Sequence, residues 1–371
     1  MNNLDINKSI KLIKEVGEEI VGLDELPSLY KNPEHLVCYD GFEPSGQMHI
    51  AQGLIRAINT NKMIKSGFKF KMYVADWFAY LNNKMGGDRN KIKIVGEYFK
   101  EIWNVSGMDL NNVEFVWASD LIKKDEYWEL VMKVAKTTTL KRVLRTTQIM
   151  GRSESDDLAS GMIFYPCMQT ADIFVMGARV TQLGMDQRKV NMLAREVGEE
   201  IGYWKPVIVT HHMLRGLGKP IGDQVGSEEK SIATKMSKSI PDSAIFMTDT
   251  KEDIKRKIMK AYCPEGEIRD NPILEYCKYI IFESHHLIGF EGLLSEGFII
   301  ERPERFGGKL KYRNYKNLEE AYENKALFPL DLKNTVIEYL NKLLEPSREH
   351  FIKDLAARQL LEKVLSYQIT R

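Results

Sequence analysis

What most limits the fold of this chain is the exchange of two periodicities along residues 6 to 214. Short apolar runs read as buried strands: LVCYDGF (36–42), FKFKMYV (68–74), NVEFVWAS (112–119) and PVIVTHHML (206–214). Between them lie helical stretches: 6–22, with Ile6, Ile10, Ile13 and Val16 on one face, then 89–107 and 123–149. Two more, 166–177 and 186–199, flank RVTQLG (179–184). Strands separated by helices cannot close as hairpins, so the pattern predicts an α/β unit on a parallel sheet. Near Met247 the character changes. From DTKEDIKRKIMKAY (249–262) onward the chain reads mostly as helices, with a Pro/Gly-rich connection at ERPERFGG (301–308). A domain boundary is expected near 245–265, dividing residues 1–250 from 251–371.

Charge narrows the function classes only a little. Lys+Arg is 53 against Asp+Glu 52, a net charge of +1, so any surface for nucleic acid has to be local. Cys38, Cys167, Cys263 and Cys277 are scattered, with no CxxC pair and no His at ligand spacing. Neither a disulfide framework nor a protein-built metal site is expected, and a reducing compartment fits. The opening MNNLDINKSIKLIKEVGEEI carries acids and no long apolar run, so it does not read as a signal peptide. No stretch approaches the ~18 apolar residues of a membrane span. A cytoplasmic protein without a membrane partner is expected.

Two short motifs carry chemistry. PSGQMHIAQG (44–53) stands where a strand gives way to a helix, and helix N-termini attract anions through free N–H groups and the helix dipole. His49 lies at that end and can donate to a phosphate oxygen. KMSKS (235–239) sets Lys235 and Lys238 three apart among small or flexible residues, a spacing that lets one loop bring two ammonium groups onto a pyrophosphate.

Together these motifs resemble the two signatures of class I aminoacyl-tRNA synthetases. His49-Ile50-Ala51-Gln52 stands where that family has its His-Ile-Gly-His-type motif, and Lys235, Met236, Ser237, Lys238 and Ser239 match the second signature throughout. The first departs at two positions: Ala51 replaces a Gly on which adenine packs, and Gln52 replaces a His. Three further blocks, YDGFEPSG (39–46), YPCMQTADIF (165–174) and GMDQRKVNMLARE (184–196), fall in the order of tyrosyl-tRNA synthetases of the archaeal and eukaryotic type. The resemblance runs from about residue 36 to about 345. It implies a Rossmann-like catalytic domain with a helical dimerisation insertion at about 110–180, an α-helical anticodon-binding domain after it, and a homodimer. ATP is implied as substrate with Mg²⁺, and tyrosine and its tRNA as partners.

The resemblance also assigns residues. Tyr39, Gly41, Glu43, Tyr165, Gln169, Asp172 and Gln187 match the tyrosine pocket. Spacing alone puts Tyr165, Gln169 and Asp172 on one helical face, and an ionised Asp172 with the phenol of Tyr39 would take the substrate hydroxyl. His49, Ala51, Gln52, Gly184, Asp186 and the KMSKS residues match the ATP site, with His49, Lys235 and Lys238 acting on the phosphates. Arg145, Arg188 and Lys189 match residues that approach the acceptor stem, where a local basic patch suits phosphate. Phe306 and Phe328 match a pair that sandwiches the first anticodon base, and Asp331 its reader; stacking is how unpaired bases are commonly held. Two rivals stand. A tryptophanyl-tRNA synthetase shares the architecture but needs no acid–phenol pair. A synthetase-like RNA-binding protein needs no intact His49, Lys235 and Lys238.

Overall fold

The computed structural model describes residues 5–150, 159–220, 236 and 241–367. Six strands form the main sheet: β1 (Glu19–Val21), β2 (Val37–Phe42), β3 (Lys69–Val74), β4 (Val113–Trp117), β5 (Val180–Gly184) and β6 (Val207–His211). Their order is β1-β6-β5-β2-β3-β4, and every pairing is parallel except β1 on β6. The chain lays β2, β3 and β4 outward in one direction, then returns to place β5 and β6 on the other flank of β2. Ligands bind outside the carboxyl ends of strands at such a reversal.

Register makes the crevice there. β2 stays with β3 to its end, Phe42 opposite Val74, and β5 stays with β6 to Gly184 opposite His211. Between β2 and β5 the ladder covers only Cys38–Val180 and Tyr39–Thr181. Beyond Tyr39 the two strands part.

The helices are α1 (Ile6–Val16), α2 (Arg56–Lys65), α3 (Asp76–Leu81), α4 (Arg89–Val105), α5 (Asp125–Thr137), α6 (Leu140–Thr146), α7 (Gly161–Val175) and α8 (Arg188–Val197). Two of them depart from the sequence reading. The helix expected over 6–22 stops at Val16: Gly17 turns extended, and the Glu18 N–H bonds to Thr210 O at 2.7 Å. Residues 19–21 then pair with the open edge of β6, so tertiary pairing overrides the helical periodicity. The stretch expected as one helix over 123–149 breaks at three successive threonines. Thr138 and Thr139 are extended, and Thr139 Oγ1 caps α6 by accepting from the Arg142 N–H. β-Branched residues that bond the backbone locally favour such a cap over a helix interior.

After residue 250 come α9 (Lys251–Lys260), α10 (Pro272–Tyr276), α11 (Tyr315–Glu323), α12 (Pro329–Lys353) and α13 (Leu355–Ser366). A small antiparallel pair, β7 (Phe298–Ile300) with β8 (Leu310–Tyr312), brackets the ERPERFGG connection and had no counterpart in the sequence reading. Val336, Leu340, Leu343 and Phe351 of α12 belong to the same continuous core as Ile50, Phe99 and Trp103. Tyr98 and Phe351 meet across it at 5.5 Å between ring centroids.

The HIAQG segment enters its helix through one π turn, Ala51–Ile55, ahead of α2. It is pinned from across the molecule. The Ile50 N–H bonds to Ile245 O, and the Met247 N–H to Met48 O, both at 2.9 Å, with His49 bridged to Phe246 between them. Gly53 faces the wholly buried Met247, and a methyl group at 53 would overlap its thioether. We therefore expect Gly53→Ala to destabilise the protein by about 1–3 kcal/mol through overpacking, despite alanine's better helix propensity. Thermal and urea denaturation would measure it; a stabilised variant would show that Met247 repacks without cost.

Candidate active site

Where β2 and β5 part lies a cavity of about 750 Å³. The end of β2 supplies Tyr39, Asp40, Gly41 and Glu43, the end of β5 and its turn Gly184, Asp186 and Gln187, and α7 supplies Tyr165 and Gln169. The start of the HIAQG helix brings His49, Ala51 and Gln52 to the same wall. Met236 also reaches it; it is buried and its N–H bonds to Leu214 O at 3.4 Å. Lys235, Ser237, Lys238 and Ser239 lie outside the described residues.

Glu43 is the polar hub of the cavity. It accepts from Tyr165 Oη at 2.7 Å and from Asn82 Nδ2 at 3.1 Å, with the Lys84 ammonium at 3.7 Å. Gln169 Nε2 donates to Gln187 Oε1 at 3.2 Å, and Gln187 Nε2 to Ile149 O at 3.2 Å. Among the described residues, Gln169 Oε1 and the Tyr39 hydroxyl are buried without a partner. Buried polar groups are costly to leave unmade, so two such atoms on one cavity wall suit a polar ligand. At Gly41, on the cavity wall, a Cβ would meet its nearest protein atom at an ordinary 3.5 Å, so protein packing does not demand a glycine.

Asp172 shares the α7 face with Tyr165 and Gln169. It is wholly buried behind Tyr39 and Tyr73, accepting from Tyr127 Oη at 3.0 Å. Burial pushes its carboxyl up to about 8, although the phenols of Tyr73 and Tyr127 pull the other way. The four phenols of Tyr39, Tyr73, Tyr127 and Tyr165 are held well above their usual range, chiefly by burial and then by nearby carboxylates, so all remain protonated donors. Tyr73 and Tyr127 were not among the sequence candidates; each sits in an ordinary apolar pattern and only the fold brings it to Asp172. Asn82 and Lys84 were missed as well, although the run LNNKMGG (81–87) at the end of α3 is the kind of polar punctuation that marks a site.

Also on the cavity wall, His211 at the end of β6 bonds through Nδ1 to Gln182 Nε2 at 2.6 Å. Burial, and then the Arg56 guanidinium, push the imidazole down to about 3, so it is neutral. Its neighbour His212 lies between Glu18 and Glu275, and the two carboxylates outweigh burial to raise it to about 9. Among the described residues, Glu15, Glu283 and His286 could together hold a metal ion, but the Lys62 ammonium already sits 3.6 and 2.6 Å from the two carboxylates.

A family model described as "tRNA synthetases class I (W and Y)" matches residues 31–345. A tyrosine–tRNA ligase of Arabidopsis thaliana, named as cytoplasmic, is 48% identical over 99% of this chain and 90% of its own. The tyrosine–tRNA ligase of Thermococcus sibiricus is 39% identical over 99% of this chain and its own full length. This chain belongs to the tyrosyl-tRNA synthetases of class I. The synthetase also superposes on the crystal structure of tyrosyl-tRNA synthetase from Pyrococcus horikoshii, solved with L-tyrosine. The TM-score is 0.87 at 37% identity, covering 96% of this chain and 99% of that one. A tryptophanyl-tRNA synthetase from Aeropyrum pernix, 18% identical with a TM-score of 0.66, shares the fold alone.

The residues expected to meet RNA lie away from the cavity. Arg145 of α6 is exposed. Arg188 is held bidentately by Glu19, at 2.6 and 2.9 Å, and Lys189 donates to Gln148. Arg142, given no role from the sequence, is engaged by Glu196. Phe306 and Phe328 are 58% and 52% exposed, which excludes them from the core. Phe306 sits on a short turn closed by left-handed Gly307, with Arg305 4.9 Å from its ring, and Phe328 caps α12, whose first turn carries Asp331.

The buried acid gives a pH signature. In the folded state Asp172 keeps its proton up to about pH 8, whereas its ordinary value is 3.8. Its contribution to stability is complete below about pH 4 and is lost as pH rises towards 8. Between pH 5 and 8 the ligand-free wild type should lose more thermal stability than Asp172→Asn, whose amide does not titrate. Scanning fluorimetry across that range measures the difference; parallel curves would mean that Asp172 ionises normally.

Proposed function

We propose that the cavity houses tyrosine and ATP together, in a tyrosine–tRNA ligase that forms tyrosyl-adenylate and pyrophosphate and then transfers tyrosine to the 3′ end of its tRNA. The observation that carries this reading is the buried carboxyl–phenol cluster of Asp172, Tyr127, Tyr73 and Tyr39 beside the wall where Tyr165, Gln169 and Gln187 offer oxygens. The substrate phenol would lie against Tyr39 with Asp172 behind it. A protonated carboxyl both donates and accepts, so it can hold that hydroxyl without bringing a charge into an apolar site. The α-ammonium would take Tyr165, Gln169 and Gln187. An indole substrate has no use for that cluster, which disfavours tryptophan.

ATP would lie along the other wall, the adenine over Ala51, the ribose at Gly184 and Asp186, and the phosphates near His49 and the KMSKS lysines. Gln52 stands in the place of the family's second His. The tyrosine carboxylate is already ionised at neutral pH and needs no general base. Catalysis therefore rests on positioning, with stabilisation of charge on the phosphates by His49, Lys235 and Lys238. Mg²⁺ fits as a companion of the nucleotide rather than as a resident ion. Of the three carboxylates lining the cavity among the described residues, Asp40 is paired with Arg56, Glu43 with Lys84, and Asp186 would face the ribose, so the triphosphate oxygens would supply its ligands.

For the whole chain we read residues 1–250 as the catalytic domain and 251–371 as the anticodon-binding domain. The segment at about 110–180 would make the homodimer, a reading supported by Trp128, Met132, Leu140, Leu144 and Phe164, which are apolar and 37–61% exposed. Arg145, Arg188 and Lys189 would approach the acceptor stem, Arg188 by exchanging Glu19 for a phosphate. Phe306, Phe328 and Asp331 would read the anticodon. No helix among the described residues is long and apolar enough to cross a membrane, and the Arabidopsis relative's name supports a cytoplasmic location.

Two experiments test the assignment. In tyrosine-dependent pyrophosphate exchange, Tyr39→Phe should narrow the preference for tyrosine over phenylalanine in kcat/KM, and Asp172→Ala should nearly abolish activity. A site that bonds a substrate hydroxyl rejects the analogue lacking it by up to about 10⁵, a figure for which tyrosyl-tRNA synthetase is itself the standard example. An unchanged preference in Tyr39→Phe with robust activity in Asp172→Ala would move the pocket elsewhere. Lys235→Ala or Lys238→Ala should slow adenylate formation about a hundredfold, or roughly 3 kcal/mol, with little effect on tyrosine affinity. Rapid-quench kinetics would separate the two, and an unaltered rate in both variants would remove these lysines from the chemistry.

A further inference from the structure

Where β2 leaves β5, the main chain of Gly41 loses its ladder partner, and two side chains take over. Asp40 Oδ1 accepts from the Gly41 N–H at 2.7 Å, and Arg56 Nη2 donates to Gly41 O at 3.2 Å. The two side chains also join each other, Arg56 Nε lying 2.6 Å from Asp40 Oδ2. Asp40 is wholly buried and the Arg56 side chain is 11% exposed. The guanidinium lies against the edge-to-face pair of Phe42 and Trp103, at 5.9 and 6.0 Å from their centroids. Trp103 Nε1 in turn donates to Gln52 O at 3.0 Å.

A buried ion pair is a poor source of stability compared with apolar residues of the same volume. Its value here lies in what it connects. Gly41 is on the wall read above as the tyrosine side. Arg56 is the first residue of α2, one turn beyond the HIAQG motif on the ATP side. The pair therefore ties the support of one substrate to the helix that receives the other. Asp40 falls within the YDGFEPSG block without having been given a role there, and Arg56 lies outside the motifs.

We propose that Asp40 and Arg56 are positioning residues for adenylate formation: as a clamp on both faces of the Gly41 main chain, they fix the distance between the tyrosine carboxylate and the α-phosphate. In-line attack is sensitive to such a distance, since a displacement of about 1 Å can cost a hundredfold in rate. Substrate affinities, set by other contacts, should change little.

The clamp requires an ionised Asp40. Burial raises its carboxyl to about 6, against the opposing pull of Arg56 and the Gly41 N–H, with Asp186 adding to the rise. The groups facing it are thus Arg56 from α2 and Asp186 from the turn after β5, while Cys38 and Tyr39 on its own strand are kept neutral by burial. As pH falls through about 6, Asp40 gains a proton, the clamp loosens, and the rate should fall. Asp40→Asn keeps an oxygen for the Gly41 N–H but cannot titrate.

The test is single-turnover adenylate formation with wild type, Arg56→Lys and Asp40→Asn, with the affinities for tyrosine and ATP measured separately and folding checked by thermal melts. Both variants are conservative enough to keep the core filled. Lysine still neutralises Asp40 but cannot reach Asp40 and Gly41 O together. We expect Arg56→Lys to lower the maximal rate at least tenfold with both affinities within about twofold. Asp40→Asn should keep more activity than Arg56→Lys and lose the acid limb that wild type shows near pH 6. A higher Kd for ATP at an unchanged rate would make Arg56 a nucleotide ligand and overturn the clamp. An acid limb retained in Asp40→Asn would overturn it as well. The inference rests on the two-substrate reading of the cavity. If wild type forms no tyrosyl-adenylate, that reading fails first; if wild type is active and the variants match it, only the clamp fails.

Discussion

The site depends on a ladder that stops early. β2 and β5 are hydrogen-bonded at Cys38–Val180 and Tyr39–Thr181 and nowhere further, while each continues beside its other neighbour. Right-handed twist drives adjacent strands apart where nothing holds them, and at a topological reversal no crossover helix covers the gap. The cavity is that gap. Its walls are strand ends, so the side chains on them are carried by rigid elements, which is what precise placement of reacting groups requires. The cost falls on main-chain groups at the parting, where Gly41 takes side-chain partners in place of a strand.

Much of this was legible in the sequence, for reasons that differ by element. β2 and β6 announced themselves because a strand buried along most of its length reads as a nearly continuous apolar run, and β3 and β4 through their β-branched and aromatic residues. The αβ alternation then left little freedom of topology. Tyr165 and Gln169 could be placed on the same helical face, and His49 at a helix entrance, because both inferences need only local geometry. β1 was hidden, since Glu19-Ile20-Val21 continues an amphipathic pattern and becomes a strand only because β6 offers an edge. The pair of threonines at 138 and 139 broke a helix that periodicity alone would have continued. The β7–β8 pair spans too few residues to stand out from its loop.

The polar surroundings of the site were the least legible part. Asp172 was identifiable as an important acid, but its protonation depends on how completely three other segments bury it. Tyr73 comes from β3 and Tyr127 from α5, both more than forty residues before Asp172. No spacing rule joins residues so distant. The same holds for Asp40 and Arg56, and for Gln182 with His211. These pairings are products of tertiary structure, and they set the charge states on which the chemistry rests.

One core runs from the sheet into the C-terminal helices. Trp103 and Phe99 of α4 share it with Leu340, Leu343 and Phe351 of α12, and α13 folds back to pack on α4. Two regions with separate tasks are thus a single cooperative unit. The helices after residue 250 cannot be exchanged as a cassette, because the surface they would leave behind is the apolar face of α4. On the anticodon reading proposed above, any change in RNA specificity has to arise by surface substitution on a frame whose inner faces belong to the shared core. Evolution of recognition in this chain is therefore confined to what α12 and the loops around Phe306 can present outward while their inner faces stay fixed.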